Sequence, residues 1–138
     1  MIDIENYVFN NISKELRNKF QKIFVKSEYV KNISDFPCVF INEKTNTVLQ
    51  ETSDEIIENH ANLMYQVDIF SNLTSGKKAE CKKILKVVDE KMSEMGFVRI
   101  LCEPIENLED ATIYRITARY NAIVGRKING INQIYRNQ

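Results

Sequence analysis

A chain of 138 residues with 43% hydrophobic and 28% charged side chains has the size and balance of one globular domain, and its scarcity of Gly and Pro argues against a low-complexity or disordered chain. Nineteen Lys and Arg are matched by nineteen Asp and Glu, which excludes a global field for nucleic acid or anionic membrane, so any charge-based recognition must be local. Apolar runs fall far short of the roughly 20 residues of a spanning helix, and the N-terminus lacks a secretory pattern. Cys38, Cys81 and Cys102, widely spaced and without a CxxC, fit a reducing cytoplasm.

In chain order, Ile4, Tyr7, Val8, Ile12, Leu16, Phe20 and Ile23 recur at spacings of three and four, which predicts an amphipathic helix from about Ile4 to Phe24. The apolar, β-rich run Phe36 to Ile41 predicts a strand. Asn42 to Asn46 reads as a polar turn, and Thr47 to Glu51 as a weaker strand. From Ala61 the chain alternates: Ala61, Leu63, Tyr65, Val67 and Ile69 share one face, and Asn62, Met64, Gln66, Asp68 and Phe70 the other. A loop over Ser71 to Gly76 precedes a second helix marked by Cys81, Ile84, Leu85, Val88, Met92 and Met95, with Thr74 or Ser75 as its cap and Gly96 as its stop.

Two further strands are expected, Phe97 to Cys102 and Thr112 to Val124, joined by a loop over Glu103 to Asp110 in which Pro104 and the acids disfavour pairing. The tail from about residue 125 to 138 reads as a contact arm or a last strand. The order α-β-β-β-α-β-β gives an α+β fold: a largely antiparallel sheet of four to five strands, with two helices on one face and the other face polar and open. Its core is expected to join Leu63, Tyr65, Val67 and Ile69 with Val98, Ile100, Tyr114, Ile116 and Ala118, under Leu16, Phe20, Leu85, Val88 and Met92.

The candidate chemistry is sparse. His60 stands without a metal-ligand spacing or a nucleophile motif and reads as an edge histidine. Ser75-Gly76-Lys77-Lys78 has one glycine where a phosphate loop needs several converging N–H groups, so the lysines read as a solvated helix face. The acidic stretches Glu51, Asp54, Glu55, Glu58 and Glu103, Glu106, Glu109, Asp110 read as solvated loops. No catalytic residue, metal or cofactor is expected. Strand periodicity puts Arg115 and Arg119 on one face, where Arg99 from a neighbouring strand would join them, as a solvated or ion-paired surface with Gln66 and Asp68.

The strand Tyr65-Gln66-Val67-Asp68-Ile69-Phe70, the Lys-rich helix closing in Met95-Gly96-Phe97-Val98-Arg99, and the strand Ile113-Tyr114-Arg115-Ile116-Thr117-Ala118-Arg119-Tyr120 together resemble the tail terminator proteins of tailed bacteriophages, which also occur in phage-like tail particles. The resemblance runs from the first helix to about Val124. It implies a structural protein, not an enzyme, that forms a homohexameric ring on the head-proximal end of the tail tube and ends tube polymerisation. Implied partners are the tail tube protein, a head connector or neck protein and a sheath protein, with DNA only in passive passage and no membrane. The implied location is the host bacterial cytoplasm during assembly, then the virion tail. In such a ring Arg99, Arg115 and Arg119 would meet Glu106, Glu109 and Asp110 of a neighbour. A head-closure or connector adaptor protein is the alternative within the same neck. An RNA-binding α+β module ranks lower, because Tyr114 and Tyr120 fall on the core face rather than among basic residues on the open one.

Overall fold

The structure, a computed structural model, describes residues 1–49, 60–106, 110–128 and 130–136. Among the described residues two helices, α1 (Glu5–Lys19) and α2 (Lys77–Met95), accompany six strands: β1 (Phe24–Lys26), β2 (Cys38–Val48), β3 (His60–Ser71), β4 (Val98–Ile105), β5 (Tyr114–Ile128) and β6 (Ile131–Arg136). The fold is α+β with a mostly antiparallel sheet. Its strand order is β1-β2-β3-β5-β4, with β6 also on β5, and it begins with a parallel β1–β2 pair. Among the described residues no helix is long and apolar enough to cross a membrane.

The expected helical stripes are the buried ones. Val8, Ile12 and Leu16 of α1 and Cys81, Ile84, Leu85, Val88, Met92 and Met95 of α2 join one cluster with Ala61, Leu63, Tyr65, Val67, Ile69, Ile116, Ala118 and Tyr120. Opposed residues of an antiparallel pair share a face, and the β3–β5 register sets Tyr65 against Tyr120, Val67 against Ala118 and Ile69 against Ile116. Gly96 ends α2 in the left-handed region (φ 100°), with its N–H on Ser93 O and that of Phe97 on Met92 O. Phe97, 2% exposed, then drops onto Tyr65 edge to face at 5.5 Å.

Several boundaries differ from expectation. The first helix stops at Lys19, because Phe20 turns extended, and Phe24–Lys26 pairs with Cys38–Phe40 instead of prolonging the helix. Phe20 and Ile23 still reach the core, so the helical spacing is satisfied by a different backbone. The expected turn over Asn42 to Asn46 is strand: β2 runs unbroken opposite twelve-residue β3 and absorbs its surplus residue in a bulge between Glu43 and Thr45. Of the weaker strand, Thr47 and Val48 belong to β2, whereas 50 and 51 lie outside the described residues.

Neither Thr74 nor Ser75 caps α2. Gly76 (φ 87°) occupies that position, with no side-chain cap bond. Pro104, expected in a loop, lies in β4 opposite Ile116, where the sheet ends and a missing N–H is tolerated. The bulge between Arg99 and Leu101 leaves Ile100 unpaired and 49% exposed and sets Val98 opposite Asn121, so neither adds to the core face as expected. The tail is the strand alternative: β6 returns on β5, giving six strands instead of four to five. β4 pairs with Arg115–Asn121 and β6 with Ala122–Ile128, so the two lie end to end along one side of β5.

The second face of the sheet is not open. Phe40, Phe70 and Cys38 are buried there under Phe24, Ile33 and Phe36, with the Tyr29 ring 5.1 Å from that of Phe40 and tilted 37° to it. Beside them Gln66, Asp68 and Thr117 are buried as well.

Candidate interaction surfaces

Asp68 is 1% exposed in the middle strand, where an unpaired carboxylate would cost several kcal/mol, about the scale of a whole domain's margin. The neighbouring side chains satisfy it. Arg115 donates Nη2 at 2.8 Å and Nε at 3.1 Å to Oδ1, the Thr117 hydroxyl donates to the same oxygen, and Gln66 Nε2 donates to Oδ2 at 2.9 Å. Arg119 Nε extends the chain onto Gln66 Oε1 at 3.0 Å. Register accounts for the assembly, since Asp68 opposes Thr117, Gln66 opposes Arg119 and Phe70 opposes Arg115, whose guanidinium also lies 5.3 Å from the Phe70 ring. The expected pairing of Arg115 and Arg119 with Gln66 and Asp68 is therefore present. It has the character of a cross-strand lock within the subunit rather than a solvated surface.

Arg99 does not join it. It opposes Tyr120, whose ring lies in the core, so Arg99 belongs to the helix side, and its Nη1 lies 3.4 Å from Asp89 Oδ1 of α2. The same oxygen accepts the Tyr120 hydroxyl at 3.0 Å. Burial, then the Asp89 charge, raises the Tyr120 phenol above its ordinary range. Glu106 and Asp110 are exposed at the end of the sheet, and Glu109 lies outside the described residues. Asp110 accepts from the Thr112 backbone N–H at 2.9 Å and from its hydroxyl, which lowers its carboxyl pKa. The acidic stretch Glu51, Asp54, Glu55 and Glu58 also lies outside the described residues.

Cys38 and Cys81 are buried, and burial raises both thiols, that of Cys81 to about 12; Cys102 is exposed. His60 begins β3 with its ring 5.8 Å from that of Tyr135. Among the described residues no group of three His, Cys, Asp or Glu converges as a metal site would require.

Two surfaces stand out, the tail expected as a contact arm or last strand and the lysine face expected to be solvated. β3 accompanies β5 only as far as Gly125, so the far end of the β5–β6 pair, residues 126–128 with 131–132, runs past the paired sheet. On and around it Ile128 (56%), Ile131 (66%), Tyr135 (47%) and, from α1, Tyr7 (49%) are exposed. Tyr7 and Ile131, with Ile4, Ile134, Asp3 and Lys127, line a groove of about 500 Å³. The scattered isoleucines of the tail were the only signal of it, and their period is too short to show which face they take. The other surface is the lysine-rich face of α2, where Lys78, Lys82, Lys83 and Lys86 are exposed. No protein-family model matches the chain, and comparison with curated protein sequences also gives no match.

Proposed function

We propose that this chain is a structural assembly subunit that forms a homohexameric ring, caps the head-proximal end of a phage-type tail tube, ends tube polymerisation and offers a docking surface to a head connector. The partners in this reading come from the sequence resemblance. The observation that carries assembly is the apolar β5–β6 hairpin, because large side chains clustered at the margin of a small domain mark a surface to be covered. The opposite margin of the sheet supports it too: β1 covers only Cys38–Phe40 of β2, so the edge over residues 41–48 has no strand partner among the described residues. Two unlike margins suit head-to-tail contacts that close into a ring.

The test pairs Ile128→Lys and Ile131→Asp in one protein, because the two positions oppose each other and like charges there would themselves part the strands. Both side chains are more than half exposed, so the monomer should keep its stability within about 0.5 kcal/mol. The oligomer seen by native mass measurement should dissociate, and tail tube protein polymerised with the variant should lose the length limit that the parent imposes. A parent protein that stays monomeric alone and with tube protein would overturn the proposal.

A further inference from the structure

Helix α1 follows the electrostatics of its backbone, with Glu5 in the first turn and Arg17 and Lys19 in the last. Helix α2 reverses them. Lys77, Lys78, Lys82, Lys83 and Lys86 crowd its first three turns, whereas Asp89, Glu90 and Glu94 lie in its second half, with no basic residue in the last turn. Its acidic first-turn residue, Glu80, is taken up by the Ser71 hydroxyl at 2.7 Å. Lys78 and Lys82, and Lys82 and Lys86, are like charges four residues apart, an arrangement that disfavours the helix. Lys78, Lys82, Lys83 and Lys86 are exposed and have no ion-pair partner among the described residues, while Glu94 and Asp89 of the second half are paired with Lys91 and Arg99. Lysines in the first turn and like charges four apart oppose helix stability, and such local choices are expected where a surface serves something outside the fold.

The composition of that face selects the partner. Protein interfaces are built on aromatic and aliphatic anchors and are depleted in lysine, yet no large hydrophobic residue of α2 is exposed. A membrane-surface helix needs its apolar side free to enter lipid, but here Cys81, Ile84, Leu85, Val88 and Met92 are committed to the core. What remains is a row of ammonium groups, Lys78, Lys82 and Lys86, stepping about 6 Å along the axis with Lys83 beside them. We infer that this face of α2 contacts the phosphate backbone of a nucleic-acid duplex, weakly and without reading sequence. The inference goes beyond the ring and does not depend on it.

Fluorescence anisotropy of a short mixed-sequence DNA duplex, titrated with the protein over a range of salt, is the experiment. Three to four neutralised phosphates give a slope of about −3 in log K against log salt, so affinity should fall on the order of fifty-fold between about 50 and about 200 mM. The double variant Lys82→Gln, Lys86→Gln should lose roughly a hundredfold at about 50 mM and about half the slope. It should melt no lower than the parent, since it removes like-charge repulsion along the helix, which separates lost binding from lost folding. No binding by the parent at low salt, equal binding by the double variant, or binding to phosphatidylserine vesicles in place of the duplex would each overturn the inference. Oligomer mass, measured separately, reports on ring formation whichever way this result falls.

Discussion

Asp68→Ala tests the cross-strand lock most directly. The substitution leaves the Arg115 guanidinium, the Thr117 hydroxyl and the Gln66 amide facing a void in the middle of the sheet, where Thr117 is 4% and Gln66 8% exposed. Removing one partner of a buried pair costs about 3–5 kcal/mol, because the remaining charge is left uncompensated. Arg115 is 24% exposed and can swing partly into water, so the lower end, about 3 kcal/mol, is expected. For a domain of this length that corresponds to a melting temperature lower by roughly 10 °C. Chemical denaturation of Asp68→Ala, Arg115→Ala and the double variant measures the coupling, and the double variant should lose less than the sum of the singles. Arg115→Glu should be worse than Arg115→Ala, since it sets a second carboxylate on a buried one; the arginine is therefore not a free handle for testing association. A loss below about 1 kcal/mol in Asp68→Ala, or strict additivity, would refute the account of the lock.

Val67→Asp should leave the protein unfolded or molten by circular dichroism, because Val67 is fully buried against Ala118 and a charge there has no partner. Stability should also fall as pH rises above about 10. Burial raises the Tyr65 and Tyr120 phenols in the folded state, so the unfolded chain releases protons first, and each group removes about 1.4 kcal/mol per pH unit until its folded pKa is reached. The Cys81 thiol, pushed up to about 12, acts in the same sense from about pH 9. Alkaline denaturation of Tyr65→Phe, Tyr120→Phe should show a correspondingly shallower decline than the parent.

Elements whose burial and polarity agree were legible in the sequence. Ala61, Leu63, Tyr65, Val67 and Ile69 alternate with polar residues and are all buried on the helix side, and the α2 stripe from Cys81 to Met95 is the buried one. Legibility failed where a partner rather than a propensity decides. The polar half of β2 looks like a turn in isolation and is held extended by β3, and β1 exists because Cys38–Phe40 offers an edge. Gln66, Asp68 and Thr117 read as solvent-facing because polar residues usually are, whereas mutual satisfaction allows all three to be buried. The period of two placed Arg115 and Arg119 correctly with Gln66 and Asp68. It failed for Arg99 because β4 carries a bulge at Ile100, and an edge strand with little buried surface leaves no hydrophobic record of its register.

The end-to-end placement of β6 and β4 gives the sheet a fault line. Along β5 the partner changes from Arg136, opposite Ala122, to Val98, opposite Asn121, without a continuous strand across the junction. β3 holds β5 from Tyr114 to Gly125 on its other side, so β6 can separate from β5 without parting β4 or the central pair. Beyond β5 it is fastened by Ile134, which packs into the core and against Gly96, where an added Cβ would approach its Cγ2 to 2.9 Å, and by Tyr135, whose ring lies 5.8 Å from that of His60. β6 is thus expected to open at a fraction of the free energy of global unfolding, and its amides should exchange with solvent well before those of Val67 or Ala118. The margin proposed to meet another molecule can in this way yield without disturbing the central sheet that carries it.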